Sequence, residues 1–135
     1  MMLVRIPMAL PSVANLREHW SKRARRTKQH RLAARLFLTA HLRVSGERVC
    51  PPCVVTFTRI APRKLDDDNL ASACKGTRDG IADALGIDDG DERVTWRYGQ
   101  RKGKAKEYAI DVQIVPADLD VARAGRQVDD ETLPV

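Results

Sequence analysis

The spacing of apolar residues predicts four β-strands. Residues 3–6 form a short apolar run, and residues 53–60 are rich in β-branched side chains, so each run predicts one strand. Residues 94–98 and 108–114 both alternate between apolar and polar positions, as strands with one buried face do. A basic turn that contains a glycine, residues 100–106, separates these two runs. The pattern therefore predicts that the last two strands form a hairpin.

A long first helix is predicted over residues 17–42. Apolar residues recur four positions apart in its second half, as in the pairs Leu32–Leu36 and Ala33–Phe37. This half is expected to pack against the core. The first half is mostly polar, so we expect it to reach into solvent or toward a partner.

A second helix is predicted over residues 69–85, and Gly86 follows it at the position of a C-terminal cap. Its apolar face comprises Leu70, Cys74, Thr77, Ile81, Ala84 and Leu85. Residues 1–115 are expected to form one folded domain, because the pattern of residues 116–135 dissolves into small, charged and proline residues typical of a partly disordered tail. No apolar run is long enough to span a bilayer and the start has no signal-peptide pattern, so we expect a cytoplasmic protein.

Charge is distributed unevenly along the chain. The 24 basic and 18 acidic residues give a net charge of +6. Eight basic residues lie between positions 17 and 35, where only Glu18 opposes them. Nine acidic residues lie between positions 66 and 92, against Lys75 and Arg78. The first segment would hold the phosphates of a polyanion, whereas the second would repel them unless a cation intervened.

The densest acidic stretch is Asp66-Asp67-Asp68, which Asn69 follows at the start of the second helix. If the backbone there is extended, Asp66 and Asp68 point the same way and can hold one cation. Hard cations such as Mg²⁺ prefer oxygen ligands. Asn69 is expected to cap the helix or to add an oxygen. The alternative is a solvated acidic loop that caps a helix, and the pattern alone does not separate the two interpretations.

A second acidic pair, Asp88-Asp89, follows the second helix. The two ends of an unbroken helix over residues 69–85 lie about 25 Å apart at 1.5 Å per residue. The two acidic groups therefore meet in one subunit only if the helix is broken, for which Gly76 and Gly80 are candidates, or if the later loop doubles back. Lys75 and Asp79 are four apart on this helix, which indicates either a surface ion pair or a lysine facing the metal site.

The motif from Arg63 to Leu70, followed by Lys75, Asp79 and Asp88-Asp89, resembles the RusA family of phage and bacterial crossover-junction endodeoxyribonucleases. The early segment at residues 10–15, Leu-Pro-Ser-Val-Ala-Asn, resembles that family's Pro-Ser-x-x-Asn-like loop. The resemblance covers roughly residues 1–115. The lysine is one departure, because in the family it lies about one helical turn nearer the asparagine.

The resemblance implies a homodimeric α/β (α+β) protein with a small mixed β-sheet and two main helices. It implies Mg²⁺-dependent nicking of four-way (Holliday) DNA junctions, with Mn²⁺ as a substitute and no small-molecule cofactor. The catalytic residues would then be Asp66, Asp68, Asp89 and Lys75, the metal ligands Asp66, Asp68, Asp89 and Asp88, and the supporting residues Asn69 and Asp79. The residues expected to contact DNA are Arg17, Lys22, Arg23, Arg25, Arg26, Lys28, Arg31, Lys102 and Lys104.

Two rival functions are weighed against the nuclease. A DNA-binding protein without catalysis would use the same basic segments, with the aspartates in structural roles. A redox protein would use Cys50 and Cys53, which have Cys-x-x-Cys spacing. That motif leads into a strand rather than opening a helix, and no second Cys or His pair completes a zinc site, so we interpret it as an incidental loop.

Overall fold

Four strands and three helices form a mixed α+β fold in the computed structural model, which describes residues 1–11 and 19–120. The predicted mixed sheet is confirmed, and the predicted count of two main helices is wrong, because the second helix is divided. The helices are α1 (Trp20–Ser45), α2 (Asp67–Ala73) and α3 (Lys75–Leu85), and the strands are β1 (Met2–Ile6), β2 (Cys53–Ala61), β3 (Val94–Lys102) and β4 (Ala109–Pro116).

The sheet has the strand order β1-β4-β2-β3. Strand β4 runs antiparallel to β1 and β2, whereas β2 and β3 run parallel. Val55 in β2 therefore lies between Ile114 of β4 and Trp96 of β3. The predicted hairpin is wrong, because β2 separates the two strands that were expected to pair. Most of β2 is buried, which suits a strand flanked on both sides.

The hydrophobic core lies between the helices and one face of the sheet. Met2, Val4 and Ile6 point into it from β1, in alternation with exposed Leu3 and Arg5. The helices contribute Leu38 of α1 and Ile81 of α3, and both side chains are fully buried. Burial of apolar surface between the two layers stabilises the fold, as in other two-layer domains.

The stripe of α1 that packs differs from the predicted one. Ala34 and Leu38 are buried, whereas Leu32 and Leu36 are more than half exposed and Phe37 is 41% exposed. The second half of the helix therefore packs as expected, but through a face shifted by one position from the predicted pair Ala33–Phe37 and by two from the pair Leu32–Leu36. Both stripes have residues four apart, so spacing alone does not select between them.

The second predicted helix is divided at Cys74. This residue is fully buried and has φ −88° and ψ 1°, so α2 ends before it and α3 begins after it. Gly76 and Gly80, the candidate break points, instead lie against α1. A Cβ atom on Gly76 would approach the carbonyl oxygen of Thr27 to 2.5 Å. The two glycines thus allow the backbones of α1 and α3 to touch.

The described structure continues past residue 115. Strand β4 ends at Pro116, a 3-10 turn follows at Ala117–Leu119, and the Ala117 N–H donates to the carbonyl of Pro52 at 3.0 Å. Asp120 is buried and pairs with Arg97 at 2.8 Å. The rest of the predicted tail, residues 121–135, lies outside the described residues. In the ranges that the structure describes, no helix combines the length and the apolar character that crossing a membrane requires.

Replacing Gly80 by alanine is expected to destabilise the domain by about 1–3 kcal/mol, the usual cost of overpacking a tight contact. The added methyl group would clash with the carbonyl oxygen of Arg31 and lie 2.8 Å from the Ala34 Cβ. Urea unfolding measures the loss. Gly99→Ala is the matched control, because the nearest atom to its added Cβ is 3.9 Å away and a change within about 0.5 kcal/mol is expected. Equal stability of the two variants would contradict the tight helix contact.

Candidate active site

The acidic loop between α3 and β3 is held by its backbone. The carbonyl oxygen of Asp89 accepts hydrogen bonds from Arg78 Nη2 at 2.9 Å and from Trp96 Nε1 at 3.2 Å. Arg78 also lies over the indole of Trp96, 4.7 Å from the ring centroid, and donates to the Tyr98 hydroxyl at 3.1 Å. Trp96 and Tyr98 stack on the buried Phe57 ring. The Asp89 backbone is thereby anchored to the core, and the exposed Asp89 residue is presented at the surface.

Several carboxylates gather around two adjoining clefts, of about 270 Å³ and about 350 Å³. Lys75, Asp79 and Asp89 line both clefts. The smaller cleft is also lined by Asp83 and Asp88. The structure therefore brings together five of the residues singled out from the sequence, namely Arg31, Lys75, Asp79, Asp88 and Asp89.

The charges in the smaller cleft are only partly balanced by neighbouring cations. Arg31 of α1 binds Asp83 through two hydrogen bonds of 2.6 and 2.8 Å, and this contact lowers the pKa of Asp83 and raises that of Arg31. Lys75 Nζ lies 3.4 Å from Asp79 Oδ2. The Gly90 N–H donates to Asp88 at 3.0 Å, and this bond is the main reason why the pKa of Asp88 is lowered. Asp88 is therefore ionised at neutral pH.

The first acidic stretch, Asp66 to Asp68, is positioned from the sheet. Leu65, the residue before Asp66, is held by two hydrogen bonds to the side chain of Gln100 in β3. This side chain accepts from the Leu65 N–H at 2.9 Å and donates to the Leu65 carbonyl at 2.7 Å. Arg59, buried in β2, donates to the carbonyls of Leu10 and Arg63. The two side chains fix the path of the chain into α2.

Asp66 and Asp68 are not arranged as the sequence predicted. Asp66 occupies the N-cap position of α2 with an extended backbone, but Asp68 lies within the first helical turn. In helical backbone, residues two apart do not face each other, so the argument from an extended strand fails. Asn69 is also inside the helix rather than at its cap. Within the described residues, the Asp66 side chain accepts no capping hydrogen bond, and the backbone carbonyl of Asp66 accepts from the N–H groups of Asn69 and Leu70.

Strand β3 relates the two acidic segments to each other. Trp96, Tyr98 and Gln100 alternate along it, and they contact the acidic loop, Arg78 and Leu65, respectively. Trp96 and Gln100 are four residues apart, or about 13 Å along a strand. Asp66 and Asp68 do not line either cleft. The predicted trio of Asp66, Asp68 and Asp89 therefore does not gather in either cleft.

The donor set of the cleft has the chemistry of a site for a hard cation. Asp79, Asp88 and Asp89 offer oxygen ligands, the type that Mg²⁺ and Mn²⁺ prefer. Mg²⁺ usually takes one or two carboxylates and fills its other positions with waters and substrate phosphates. Among residues 1–11 and 19–120, no three Asp, Glu, His or Cys side chains form a ready-made metal site. The carboxylates of the cleft therefore have the chemistry of ligands for a hard cation, but they do not by themselves form a complete set of ligands.

The basic residues predicted to contact DNA fall into two groups. Lys22, Arg23, Arg25 and Lys28 are exposed on the first half of α1, and Arg26 is partly buried there. Arg31 is engaged with Asp83 at the edge of the cleft. Lys102 and Lys104 are exposed and follow Gln100, whose side chain binds the Leu65 backbone. Arg17 lies outside the described residues.

The three cysteines differ in their exposure to solvent. All three are free thiols, with Cys50 exposed and with Cys53 and Cys74 buried. Burial raises the pKa of Cys53 and raises that of Cys74 to about 12. These two thiols are therefore protonated at neutral pH, and the interpretation of Cys50 and Cys53 as an incidental loop stays a prediction.

Sequence reasoning missed the residues that position the acidic segments. Trp96 and Tyr98 fall on the apolar positions of the predicted strand over residues 94–98, yet their polar atoms contact Asp89 and Arg78. A polar atom on an aromatic residue of a half-buried strand was the available signal, because buried Trp and Tyr usually find a hydrogen-bond partner. Arg59 and Gln100 carried no comparable signal, since their carbonyl and N–H partners are set by the path of the chain.

No family model matches the sequence. The chain is similar to an uncharacterized protein of Xylella fastidiosa (strain Temecula1 / ATCC 700964), with 40% identity over 81 residues. This similarity covers 56% of the chain and 51% of the relative, so the chain spans about half the length of the curated relative it matches. The relative's description gives no activity, and the resemblance to junction endonucleases therefore stays a prediction.

Arg78→Met is expected to destabilise the protein by about 1–3 kcal/mol and to free the acidic loop, because it leaves the Asp89 carbonyl and the Tyr98 hydroxyl without their shared donor. Urea unfolding measures the stability, and amide hydrogen exchange over residues 88–93 measures the loop. Arg93→Met is the matched control: Arg93 makes an exposed ion pair with Asp91 and should cost less than about 1 kcal/mol. Similar losses from both variants would argue against the anchoring role of Arg78.

Proposed function

We propose that the protein is a metal-dependent endonuclease that nicks branched DNA, including four-way junctions, with Mg²⁺ as its cofactor and Mn²⁺ as a substitute. The observation that carries this proposal is the cleft in which Lys75, Asp79, Asp88 and Asp89 meet beside a basic helix. In a protein that only binds DNA, an acidic cleft next to a phosphate-binding surface would repel the phosphates and weaken the binding. A cation between the carboxylates and a phosphate removes that repulsion.

In this proposal Asp88 and Asp89 hold the cation, and Asp79 lines the same cleft. Hydrolysis of a phosphodiester needs an activated water and neutralisation of the charge that develops on the phosphate, and a carboxylate-bound Mg²⁺ supplies both when it is present. Asp66 and Asp68 stand at the other end of α2, and we assign them to the same reaction on the strength of the sequence motif. Their contribution requires that bound DNA bring the two acidic segments into one site.

Lys75 is suited to stabilise negative charge on the phosphate. Its side chain is 69% exposed, whereas that of its partner Asp79 is 15% exposed. The Asp79 side chain is therefore held in place, whereas the ammonium group of Lys75 can turn from Asp79 to a phosphate oxygen that enters the cleft. Their spacing of 3.4 Å is longer than a strong charged hydrogen bond, so this exchange costs little.

The first half of α1 is suited to bind the DNA backbone. Arg31 fixes this helix to α3 through Asp83, next to the acidic cleft. Exposed Lys22, Arg25 and Lys28 continue along the same helix, away from that anchor. Backbone contacts of this kind set the register of the DNA, and they make affinity fall steeply with salt.

A homodimer would supply two matched sites for two cuts in a symmetric junction. The second half of α1 carries a stripe that suits self-association, since Leu32 is 54% exposed, Leu36 is 56% exposed and Phe37 is 41% exposed. Large exposed apolar side chains grouped on one helix face usually mark an interface. We place the dimer contact on this stripe.

Leu36→Glu is therefore expected to convert the dimer to a monomer, because it would bury a carboxylate in an apolar contact. Sedimentation velocity at micromolar concentration measures the change. Val44→Glu is the matched control on the same helix, since Val44 is 89% exposed and lies two turns away. A monomeric wild-type protein, or a dimer that persists in Leu36→Glu, would refute this interface.

Asp89→Asn and Asp68→Asn are expected to slow junction nicking by roughly a hundredfold or more, because each removes a charge that the reaction requires. The assay compares a labelled four-way junction with linear duplex of the same sequence, in Mg²⁺ and in EDTA. Asp67→Asn is the matched control: it makes the same change in the first turn of α2 and should leave the rate within about twofold.

Paired nicks in the junction that disappear with EDTA and with the two variants would support the endonuclease. Tight binding to the junction without nicks in Mg²⁺ or Mn²⁺ would favour a DNA-binding protein without catalysis. The pairing of Asp83 with Arg31 fits that alternative as well, since it gives one acidic residue a structural role. A protein that neither binds nor nicks the junction would reject both the endonuclease and the DNA-binding protein without catalysis.

A further inference from the structure

A tryptophan stands exposed at the first residue of α1. The Trp20 side chain is 73% exposed, whereas Trp96 is partly buried and hydrogen-bonded. The ring of His19 lies beside it, with the two ring centroids 5.3 Å apart and the planes at 35°. His19 is itself held as the N-cap, because its Nδ1 accepts a hydrogen bond from the Ser21 N–H at 3.2 Å. The Trp20 indole therefore projects from the capped first turn of a helix rather than from a loop.

The contacts between α1 and α3 place this tryptophan relative to the cleft. Gly76 faces Thr27 and His30, and Gly80 faces Arg31 and Ala34, so the two helices run parallel. Because α3 begins at Lys75, the first two turns of α1 project beyond its start. Trp20 precedes Thr27 by seven residues, or about 10 Å along the helix axis. Trp20 therefore lies about 10 Å along the helix axis from the part of α1 that packs against the start of α3, where Lys75 lies. This offset corresponds to about three nucleotide steps of 3.4 Å.

The surroundings of Trp20 are basic. Lys22, Arg23, Arg25 and Lys28 are exposed on the next two turns, and within α1 the first turn contains no acidic residue. The amino-terminal end of a helix adds a partial positive charge. Such a surface complements a polyanion, and it disfavours an apolar protein partner, which would have to bury several cationic groups together with the indole.

We propose that Trp20 is a base-stacking contact, which packs on the ring face of a DNA base at the branch point, where the stacking of the duplex is interrupted, while the neighbouring basic residues hold the phosphates. Aromatic side chains combined with a cationic groove are the usual means of binding unpaired nucleic acid, because every base offers a ring face. A fully paired duplex presents no such face to the side. Trp20 therefore selects branched or gapped DNA over linear duplex. This inference rests on the proposed function.

The test measures binding of a four-way junction that carries 2-aminopurine at the branch point. Trp20→Leu keeps an apolar side chain but removes the aromatic face, so its affinity should fall roughly five- to a hundredfold. Quenching of the 2-aminopurine on binding should also be lost. Trp20→Phe should retain most of the affinity and of the quenching. Val44→Ala, which trims an exposed apolar residue at the far end of α1, should change neither.

The salt dependence separates stacking from a change in charge contacts. Trp20→Leu should lower the affinity without changing the slope of log Kd against log salt, because the indole neutralises no phosphate. Lys22→Gln and Lys28→Gln should each reduce that slope. A slope that changes in Trp20→Leu as it does in the lysine variants would overturn the stacking role.

Three further outcomes would decide against the inference. Unchanged affinity and quenching in Trp20→Leu, with junction nicking intact, would reject the stacking contact and leave the proposed function standing. A dimer that dissociates in Trp20→Leu would assign the indole to the contact between subunits instead. No binding of the junction by the wild-type protein would reject the proposed function, and the stacking contact with it.

Discussion

The contact between α1 and α3 is the constraint on which the arrangement of charges depends. Gly76 and Gly80 remove the side chains that would otherwise keep the two backbones apart, and one of the resulting contacts is made with the backbone of Thr27. The most basic helix of the chain is thereby fixed against the helix that carries Lys75 and Asp79. Arg31 and Asp83 join the two helices at the edge of the cleft. Any displacement of this packing would separate the basic surface from the acidic one.

The sheet supplies the second constraint. The parallel pairing of β2 and β3 requires a crossover connection, and α2 and α3 form it. The two acidic segments lie at the two ends of this crossover. Phe57 at the centre of the sheet supports the rings of Trp96 and Tyr98, whose polar atoms then reach Asp89 and Arg78. A hydrophobic contact within the core is thus continuous with the hydrogen bonds that shape the cleft.

Much of the fold could be predicted from local patterns, but the partners of the strands could not. Alternation in residues 94–98 and 108–114 identified both strands, yet their closeness in sequence suggested a hairpin, whereas β2 pairs with each of them. The break at Cys74 was likewise hidden, because a buried cysteine fits the apolar face of a continuous helix. Both errors arise because the pattern records burial and not the neighbour that causes it.

The acidic residues of the candidate site were singled out from the sequence, whereas the residues that position them were not. Asp88, Asp89, Lys75 and Asp79 share a cleft, as their chemistry suggested, but the extended geometry expected for Asp66 and Asp68 gave way to the first turn of α2. Gln100 binds the backbone of Leu65 and Arg59 binds the carbonyl of Leu10, and both partners are distant along the chain. No local spacing in the sequence encodes such contacts.

The acidic loop is anchored through a backbone atom of Asp89 and not through its carboxylate. Arg78 and Trp96 both bind the carbonyl oxygen of Asp89, an atom that every amino acid possesses. The path of the loop therefore does not depend on which side chain position 89 carries. Residue 89 is free to change during evolution without loss of the fold, so related chains could exchange the carboxylate for another group and acquire a different reaction on the same frame.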